Sequence, residues 1–205
     1  MIEYSAYLNG GQLSETLNKE EDVVALELPK GQLVTFGLHS EVNGGEWFCD
    51  NDYVSQTFKS IGVQDKLTVY KQRNLGSRPM IQVFCVMYGG PDQSPKYGAV
   101  NAPRIMVYDS YIDNSFCGFA GIVAMSKELQ VPRVPHVLTG KWYDHNTILG
   151  KIATHPKAPD TSINVSSIAQ SHPSLIDTSF RIHKMIVRPV IERNDKIHGR
   201  IIGII

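Results

Sequence analysis

The chain has 205 residues, with 20 acidic and 20 basic side chains, so its formal net charge at neutral pH is zero. That balance argues against a general nucleic-acid binder, because phosphate contacts require an excess of lysine and arginine. A hydrophobic fraction of 42% is typical of a globular protein. The sequence contains no run of about 18 apolar residues, so it predicts no membrane span. The N-terminus lacks a signal-peptide pattern. We therefore expect no membrane partner and no direct nucleic-acid binding.

The first half of the chain predicts strands and one helix. Residues 23–28 and 33–38 are apolar runs joined by Pro-Lys-Gly, which predicts a β-hairpin. Residues 53–61 have helical spacing, with an aspartate before them as N-cap and a glycine just after them. Residues 67–72 alternate as a strand. Residues 79–88 form the longest apolar run, and their β-branched and aromatic content predicts a buried strand.

The second half predicts more strands, separated by two long loops. Residues 104–108 and 119–125 are predicted strands, and 131–136 alternate prolines with apolar residues, as an extended edge segment does. The segments 89–103 and 149–179 are rich in proline or polar turn residues. Loops of that length are usually functional or bound to a partner.

Residues 180–205 give the strongest strand pattern. A turn at Asn194-Asp195 divides them into two β-rich segments, which predicts a hairpin. We expect the first strand to lie inside a sheet as far as Arg188, with pairing lapsing at Pro189 because proline cannot donate to a ladder. The chain ends in apolar residues, which predicts that this end packs against the core or against another chain.

These elements predict a mainly β fold. Strands outnumber helices and are not separated by them, which favours an antiparallel sandwich or barrel-like domain over a parallel sheet. We expect one such domain over residues 1–205, with one short helix and the two long loops.

The sequence carries no strong motif for a metal, cofactor or catalytic site. The seven histidines lack the spacing of a metal site, no CxxC pair is present, and no glycine-rich phosphate loop occurs. The three cysteines are predicted to be reduced thiols in a cytosol. We therefore predict no metal, no cofactor and no catalytic set.

Cys117 is the residue most typical of an enzyme, because His136 and His145 follow it and a thiolate nucleophile requires a nearby base. The Cys-Gly-Phe sequence with a later histidine resembles cell-wall cysteine peptidases of the NlpC/P60 kind. That resemblance implies a cysteine-dependent hydrolase as an alternative to a plain core thiol.

Aromatic residues offer a further alternative. Trp47, Trp142 and Tyr143 could stack on a sugar, which would suit a carbohydrate- or receptor-binding β module. With no net charge, we favour packing as their role.

Residues 186–193 and 196–204, with glycines at 199 and 203, resemble the strand–turn–strand ending of small virion structural proteins of tailed bacteriophages. The resemblance implies a β-rich, multicopy component of a capsid, neck or tail, without catalysis. The resulting hypothesis is a virion structural subunit, made in the host cytoplasm, that is not an enzyme and that packs against copies of itself and other virion proteins. The candidate interface residues are Tyr97, Val100, Ile201, Ile202, Ile204 and Ile205.

Overall fold

The computed structural model describes residue 17 and residues 21–39, 45–75, 80–113, 115–142, 173–195, 199–200 and 202–204. These residues form mainly antiparallel β structure, which confirms the predicted β-rich class. None of the three sheets closes into a barrel among the described strands. Where the sequence predicts one domain over residues 1–205, the contacts divide the chain into two compact units. Unit 1 comprises Met1–Lys30 and Pro135–Ile205, and unit 2 comprises Gly31–Val134.

Unit 1 contains a four-stranded antiparallel sheet in the order β11-β8-β1-β7. Its strands are β1 (Asp22–Leu28), β7 (His136–Lys141), β8 (Lys184–Pro189) and β11 (Gly203–Ile204). A separate two-stranded pair joins β9 (Asn194–Asp195) to β10 (Gly199–Arg200). All but the first residue of β1 are buried, which is expected of an interior strand made of Val-Val-Ala-Leu-Glu-Leu.

The C-terminal strand prediction holds in its main features. Strand β8 lies between β1 and β11, so it is an interior strand, and it ends at Pro189. The predicted turn at Asn194-Asp195 is wrong, because these residues form strand β9 and pair with β10. After β10 the chain returns antiparallel to β8. Ile202 is 1% exposed, so the apolar end is packed within the chain itself.

Unit 2 contains a five-stranded antiparallel sheet in the order β3-β2-β4-β5-β6. Its strands are β2 (Gln32–Leu38), β3 (Trp47–Cys49), β4 (Ile81–Gly89), β5 (Pro103–Ile112) and β6 (Ser115–Phe116). Three helices share its core: α1 (Asp52–Ser60), α2 (Val63–Asn74) and α3 (Phe119–Leu129). Alternate residues of β2 and β4 supply the sheet's side of this core, as the period of two requires.

The predicted strand at 67–72 is wrong, because these residues belong to α2. The buried residues of this helix are Val63, Leu67 and Lys71, which recur every four positions and so lie on one helical face. Thr68, Val69 and Tyr70 are residue types enriched in strands, and their composition imitated one.

The predicted strand at 119–125 is also wrong, because the chain forms α3 there. Ile122, Met125, Ser126 and Leu129 are buried at spacings of three and four, the period of a helix. Tertiary packing of this stripe outweighs the local β propensity of the run.

The predicted hairpin between residues 23–28 and 33–38 is a third error. Both strands exist, but β1 pairs with β7 and β8, whereas β2 pairs with β3 and β4. The Pro-Lys-Gly segment therefore links two sheets. An alanine at Gly31 would place its Cβ 2.3 Å from the Met87 carbonyl oxygen, so glycine is required by the close approach of β4.

The predicted helix at 53–61 and the predicted loop at 89–103 are both present in the structure. The predicted helix at 53–61 is α1, although its N-cap is Asn51, whose side chain accepts from the Val54 amide at 3.0 Å, and not Asp52. Gly62 follows it with φ +71°, a left-handed conformation that glycine adopts at low cost. The loop predicted at 89–103 lies between β4 and β5. Of the loop at 149–179, residues 149–172 lie outside the described part.

Candidate functional site

Three basic side chains gather at one end of the unit 1 sheet. Because β1 and β8 are antiparallel, the end of β1 meets the start of β8, and Leu28 pairs with Lys184. His183 immediately precedes Lys184, and Lys30 follows β1 by two residues. All three side chains are exposed. The topology therefore concentrates positive charge at this end, and the set Lys30, His183 and Lys184 is called the basic cluster below.

Electrostatic coupling within the basic cluster is visible at His183. Partial burial lowers the pKa of the His183 imidazole, and the positive charges of Lys184 and Lys30 lower it further. Since an unperturbed histidine titrates at about pH 6.5, His183 is mainly neutral at pH 7 in the unliganded protein. The cluster thus presents two ammonium groups and one neutral imidazole, a combination that attracts anions.

A buried glutamate lies next to this end of the sheet. Glu27 is the penultimate residue of β1 and is 0% exposed. Its Oε1 accepts from the Ser174 hydroxyl at 2.5 Å, and its Oε2 accepts from the Leu175 amide at 2.7 Å. Burial raises the pKa of the Glu27 carboxyl, and the two hydrogen bonds partly oppose that rise. The carboxyl group therefore acts as an anchor for the segment that contains Ser174.

The anchored segment forms a closed loop that leads into the basic cluster. Pro173 and Arg181 form an antiparallel bridge, and the Ser174 amide donates to the Phe180 carbonyl at 3.0 Å. The Ser174 oxygen also accepts from the Ile176 and Asp177 amides at 3.1 and 3.3 Å. With both lone pairs engaged, the hydroxyl proton of Ser174 points to Glu27. Glu27 thereby fixes the approach of the chain to His183.

A second charged network holds the segment that follows β8. Arg188 and Arg200 both bind Glu192, the latter with Nε 2.7 Å from Oε1. Their side chains are only 0% and 3% exposed. Arg193 binds both carboxylate oxygens of Glu21. Each of these pairs joins parts of unit 1, so the network serves to fix the C-terminal strands.

Cys117 and His136 belong to different compact units of the chain. Cys117 lies between β6 and the N-cap of α3, in unit 2, and is half-buried. His136 belongs to β7 of unit 1, where its Nε2 is 2.7 Å from the Thr139 hydroxyl. His145 lies outside the described residues.

The aromatic candidates are packed or outside the described residues. Trp142 is 1% exposed, which agrees with packing. Trp47 is half-buried, and its indole donates to Ser55 at 3.1 Å. Tyr143 lies outside the described part.

The predicted interface residues differ in their exposure, and some of them lie outside the described part. Tyr97 is 2% exposed and packs edge-on against Tyr88, with ring centroids 5.6 Å apart, and Ile202 is buried. Val100 is 55% exposed. The side chain of Ile204, and all of Ile201 and Ile205, lie outside the described part. A role of these residues in contacts with copies of the chain stays a prediction.

Among the described residues, no group of three or more histidine, cysteine, aspartate or glutamate side chains is placed to hold a metal ion. Within the same residues, no helix is long and apolar enough to cross a membrane.

Solved structures of an RNA ligase superpose on nearly the whole of this chain. A variant of the Naegleria gruberi RNA ligase with ATP and Mn superposes with a TM-score of 0.64 at 12% identity, covering 98% of this chain and 56% of that one. The same ligase with pyrophosphate gives 0.63 at 13% identity, and a variant with AMP and Mn gives 0.61 at 13%, with the same coverage. This chain spans little more than half the length of those ligase chains. No protein-family model and no curated protein matches the sequence.

These matches overturn two predictions. The hypothesis of a virion structural subunit is wrong, because the structures that share the fold over nearly the whole chain are enzymes. The expectation that the chain is not an enzyme is wrong for the same reason. The resemblance of residues 186–204 to phage virion proteins is not tested by these matches.

Neither the basic cluster nor its anchor is predicted by a sequence motif. The signal for the anchor is Glu27 itself, a carboxylate inside an otherwise apolar strand, since glutamate is almost never fully buried without a partner. The cluster is harder to detect, because Lys30 and Lys184 are 154 positions apart and meet only through the pairing of β1 with β8.

Proposed function

We propose that the chain binds ATP and transfers its adenylyl group, in the manner of a nucleotidyltransferase related in fold to the RNA ligases. The observation that carries this proposal is the basic cluster at the shared end of β1 and β8. ATP is the ligand of choice because the ligase structures of this fold contain ATP, AMP or pyrophosphate. AMP and pyrophosphate are the two products of cleavage at the α-phosphorus of ATP.

The proposed reaction breaks the bond between the α-phosphorus and the bridging oxygen to the β-phosphate. A bond forms between the α-phosphorus and an acceptor oxygen or nitrogen, the acceptor loses its proton to solvent, and pyrophosphate leaves. Negative charge accumulates on the departing pyrophosphate. Lys30 and Lys184 supply fixed positive charge that stabilises it, which is the usual way in which proteins assist phosphoryl-type transfers.

The described residues do not gather a ligand set for the Mn found with the ligases. We therefore assign no step to a metal ion. Within this chain, the basic cluster holds the phosphates, and Glu27 acts as a positioning residue through Ser174 and Leu175.

RNA is the acceptor that we propose, because the solved structures that share this fold are named as RNA ligases. To test the reaction, the chain is incubated with ATP labelled at the α-phosphate, with and without RNA carrying a 5′-phosphate. We expect labelled AMP on the protein or on the RNA, together with one pyrophosphate for each transfer. The Lys30→Ala/Lys184→Ala variant is expected to lose most of this activity. The matched control, Lys59→Ala/Lys127→Ala, removes two exposed helix lysines of unit 2 and should retain it.

ATP binding without pyrophosphate release would refute the transfer reaction and leave a nucleotide-binding module. Equal activity in the two double variants would refute the assignment of the basic cluster.

A further inference from the structure

Cys117 lies where β6 leads into α3, and its side chain lies against the first turn of that helix. The N-cap of α3 is Gly118, and the first turn contains no acidic residue. A methyl group at Gly121 would lie 3.0 Å from the Cys117 Cβ and 3.6 Å from its Sγ. Outside α3, no other atom of the described residues lies within 4 Å of that position. The sulfur therefore lies near the positive end of the α3 dipole, with a small space beside it that a Cβ would fill.

A buried hydroxyl group faces Cys117 from β5. The pairing of Tyr111 with Phe116 continues through a hydrogen bond from the Cys117 amide to the Ser110 carbonyl at 2.9 Å. Directly opposite residues of an antiparallel pair project their side chains from the same face, with Cβ atoms about 4.5–5.5 Å apart. Ser110 is 0% exposed, and among the described residues its Oγ has no hydrogen-bond partner. An unsatisfied buried hydroxyl is unfavourable, so the arrangement suits a polar group added to Cys117.

We propose that Cys117 is an oxidation site, at which hydrogen peroxide converts the thiol to a sulfenic acid that Ser110 and the first turn of α3 hold. The sulfur attacks one peroxide oxygen, an S–O bond forms, and the O–O bond breaks. The second oxygen leaves as water with the thiol proton, so the sulfur is oxidised by two electrons and the peroxide is reduced. This inference concerns unit 2 and does not depend on nucleotide binding.

The surroundings of the sulfur fit the added oxygen. Gly121 leaves room for it, the Ser110 hydroxyl supplies a hydrogen-bond donor, and the α3 dipole favours the negative charge of a sulfenate. Because Cys117 is half-buried, a molecule as small as hydrogen peroxide can reach it.

The other two cysteines provide comparisons within the same chain. Cys85 is 0% exposed. Cys49 is half-buried, but its Sγ donates to the Asn51 carbonyl at 3.3 Å. Burial raises the pKa of the Cys49 thiol, and the charges of Asp50 and Asp52 add to that rise. Cys49 should therefore react more slowly than the other half-buried thiol.

The test exposes the full, reduced chain to hydrogen peroxide together with a cyclic 1,3-diketone, which traps sulfenic acids. Mass spectrometry measures the adduct at each cysteine. We expect at least about fivefold more adduct at Cys117 than at Cys49. Ser110→Ala should lower the Cys117 adduct at least about threefold, the effect of losing roughly one hydrogen bond. Gly121→Ala should also lower it, because the methyl group occupies the space beside the sulfur.

Two controls separate this effect from a general loss of structure. Ser110→Ala removes an unsatisfied hydroxyl, so thermal unfolding of the reduced variant should match the wild type. Ser126→Ala removes another buried hydroxyl of unit 2, one that donates to the Val131 carbonyl at 2.6 Å, and should keep the wild-type adduct at Cys117. Equal adduct at Cys117 and Cys49 in the wild type would overturn this inference. A Cys117 adduct unchanged by both Ser110→Ala and Gly121→Ala would also overturn it.

Discussion

Replacing Glu27 by glutamine should destabilise unit 1, because the buried carboxylate accepts two hydrogen bonds and an amide can accept only one of them. In one orientation the new NH2 group faces the Leu175 amide, and two donors meet. In the other it faces the Ser174 oxygen, whose lone pairs already bind two backbone amides. Either arrangement leaves a buried polar group unsatisfied, which costs about 1–3 kcal/mol.

The desolvation cost of the ionised Glu27 carboxyl reduces the loss of stability expected for Glu27→Gln. Burial raises the pKa of the Glu27 carboxyl, so the ionised form carries a desolvation cost that glutamine avoids. We expect the penalty of the unpaired donor that glutamine introduces to exceed this saving, with a net loss of about 1–2 kcal/mol. Urea denaturation at pH 7.5 measures it. Because the pKa of Glu27 is raised on folding, the wild type should lose stability relative to Glu27→Gln as pH rises from about 4.3 through the folded pKa.

A double-mutant cycle separates the anchor from unrelated packing. Glu27→Gln, Ser174→Ala and the double variant should show a coupling energy of at least about 0.5 kcal/mol, as expected for side chains in direct contact. Additive effects, or a Glu27→Gln variant as stable as the wild type, would refute the anchoring role.

Three further outcomes are expected. Glu192→Ala should cost about 3–5 kcal/mol in unfolding free energy, because it leaves two buried arginines without this carboxylate. As a control, Asp22→Ala breaks an exposed ion pair with Lys141 and should cost no more than about 1 kcal/mol. Phe58→Ala should cost about 3–5 kcal/mol, since the ring is 1% exposed, while Tyr53→Ala, at an exposed position of the same helix, should stay within about 0.5 kcal/mol. Cys85 should resist alkylation until the chain unfolds, because burial raises the pKa of its thiol well above the usual range; labelling of the native protein at Cys85, followed by mass spectrometry, would contradict this.

The sequence is informative where a segment is apolar and long. The sequence predicts strands β4 and β8, because burial of an interior strand dictates its composition. Helices α2 and α3 were missed for the opposite reason. Their buried stripes are short and mixed with β-branched residues, so only packing against the sheet distinguishes helix from strand.

The pairing of distant strands lies beyond local patterns. Nothing in the Pro-Lys-Gly segment reveals that β1 pairs with β8 and not with β2. That pairing places Lys184 beside the end of β1 and so creates the basic cluster. The candidate site therefore carries no local sequence motif, because strand pairing alone brings its residues together.

The central claim is that the basic cluster binds the phosphates of ATP. The most direct test is equilibrium titration with ATP of the wild type, Lys30→Ala/Lys184→Ala and Lys59→Ala/Lys127→Ala. The first double variant should bind at least about tenfold more weakly than the wild type, a loss of about 1.4 kcal/mol, and the second should match the wild type. Equal affinities for all three proteins, or no binding by the wild type, would contradict the account.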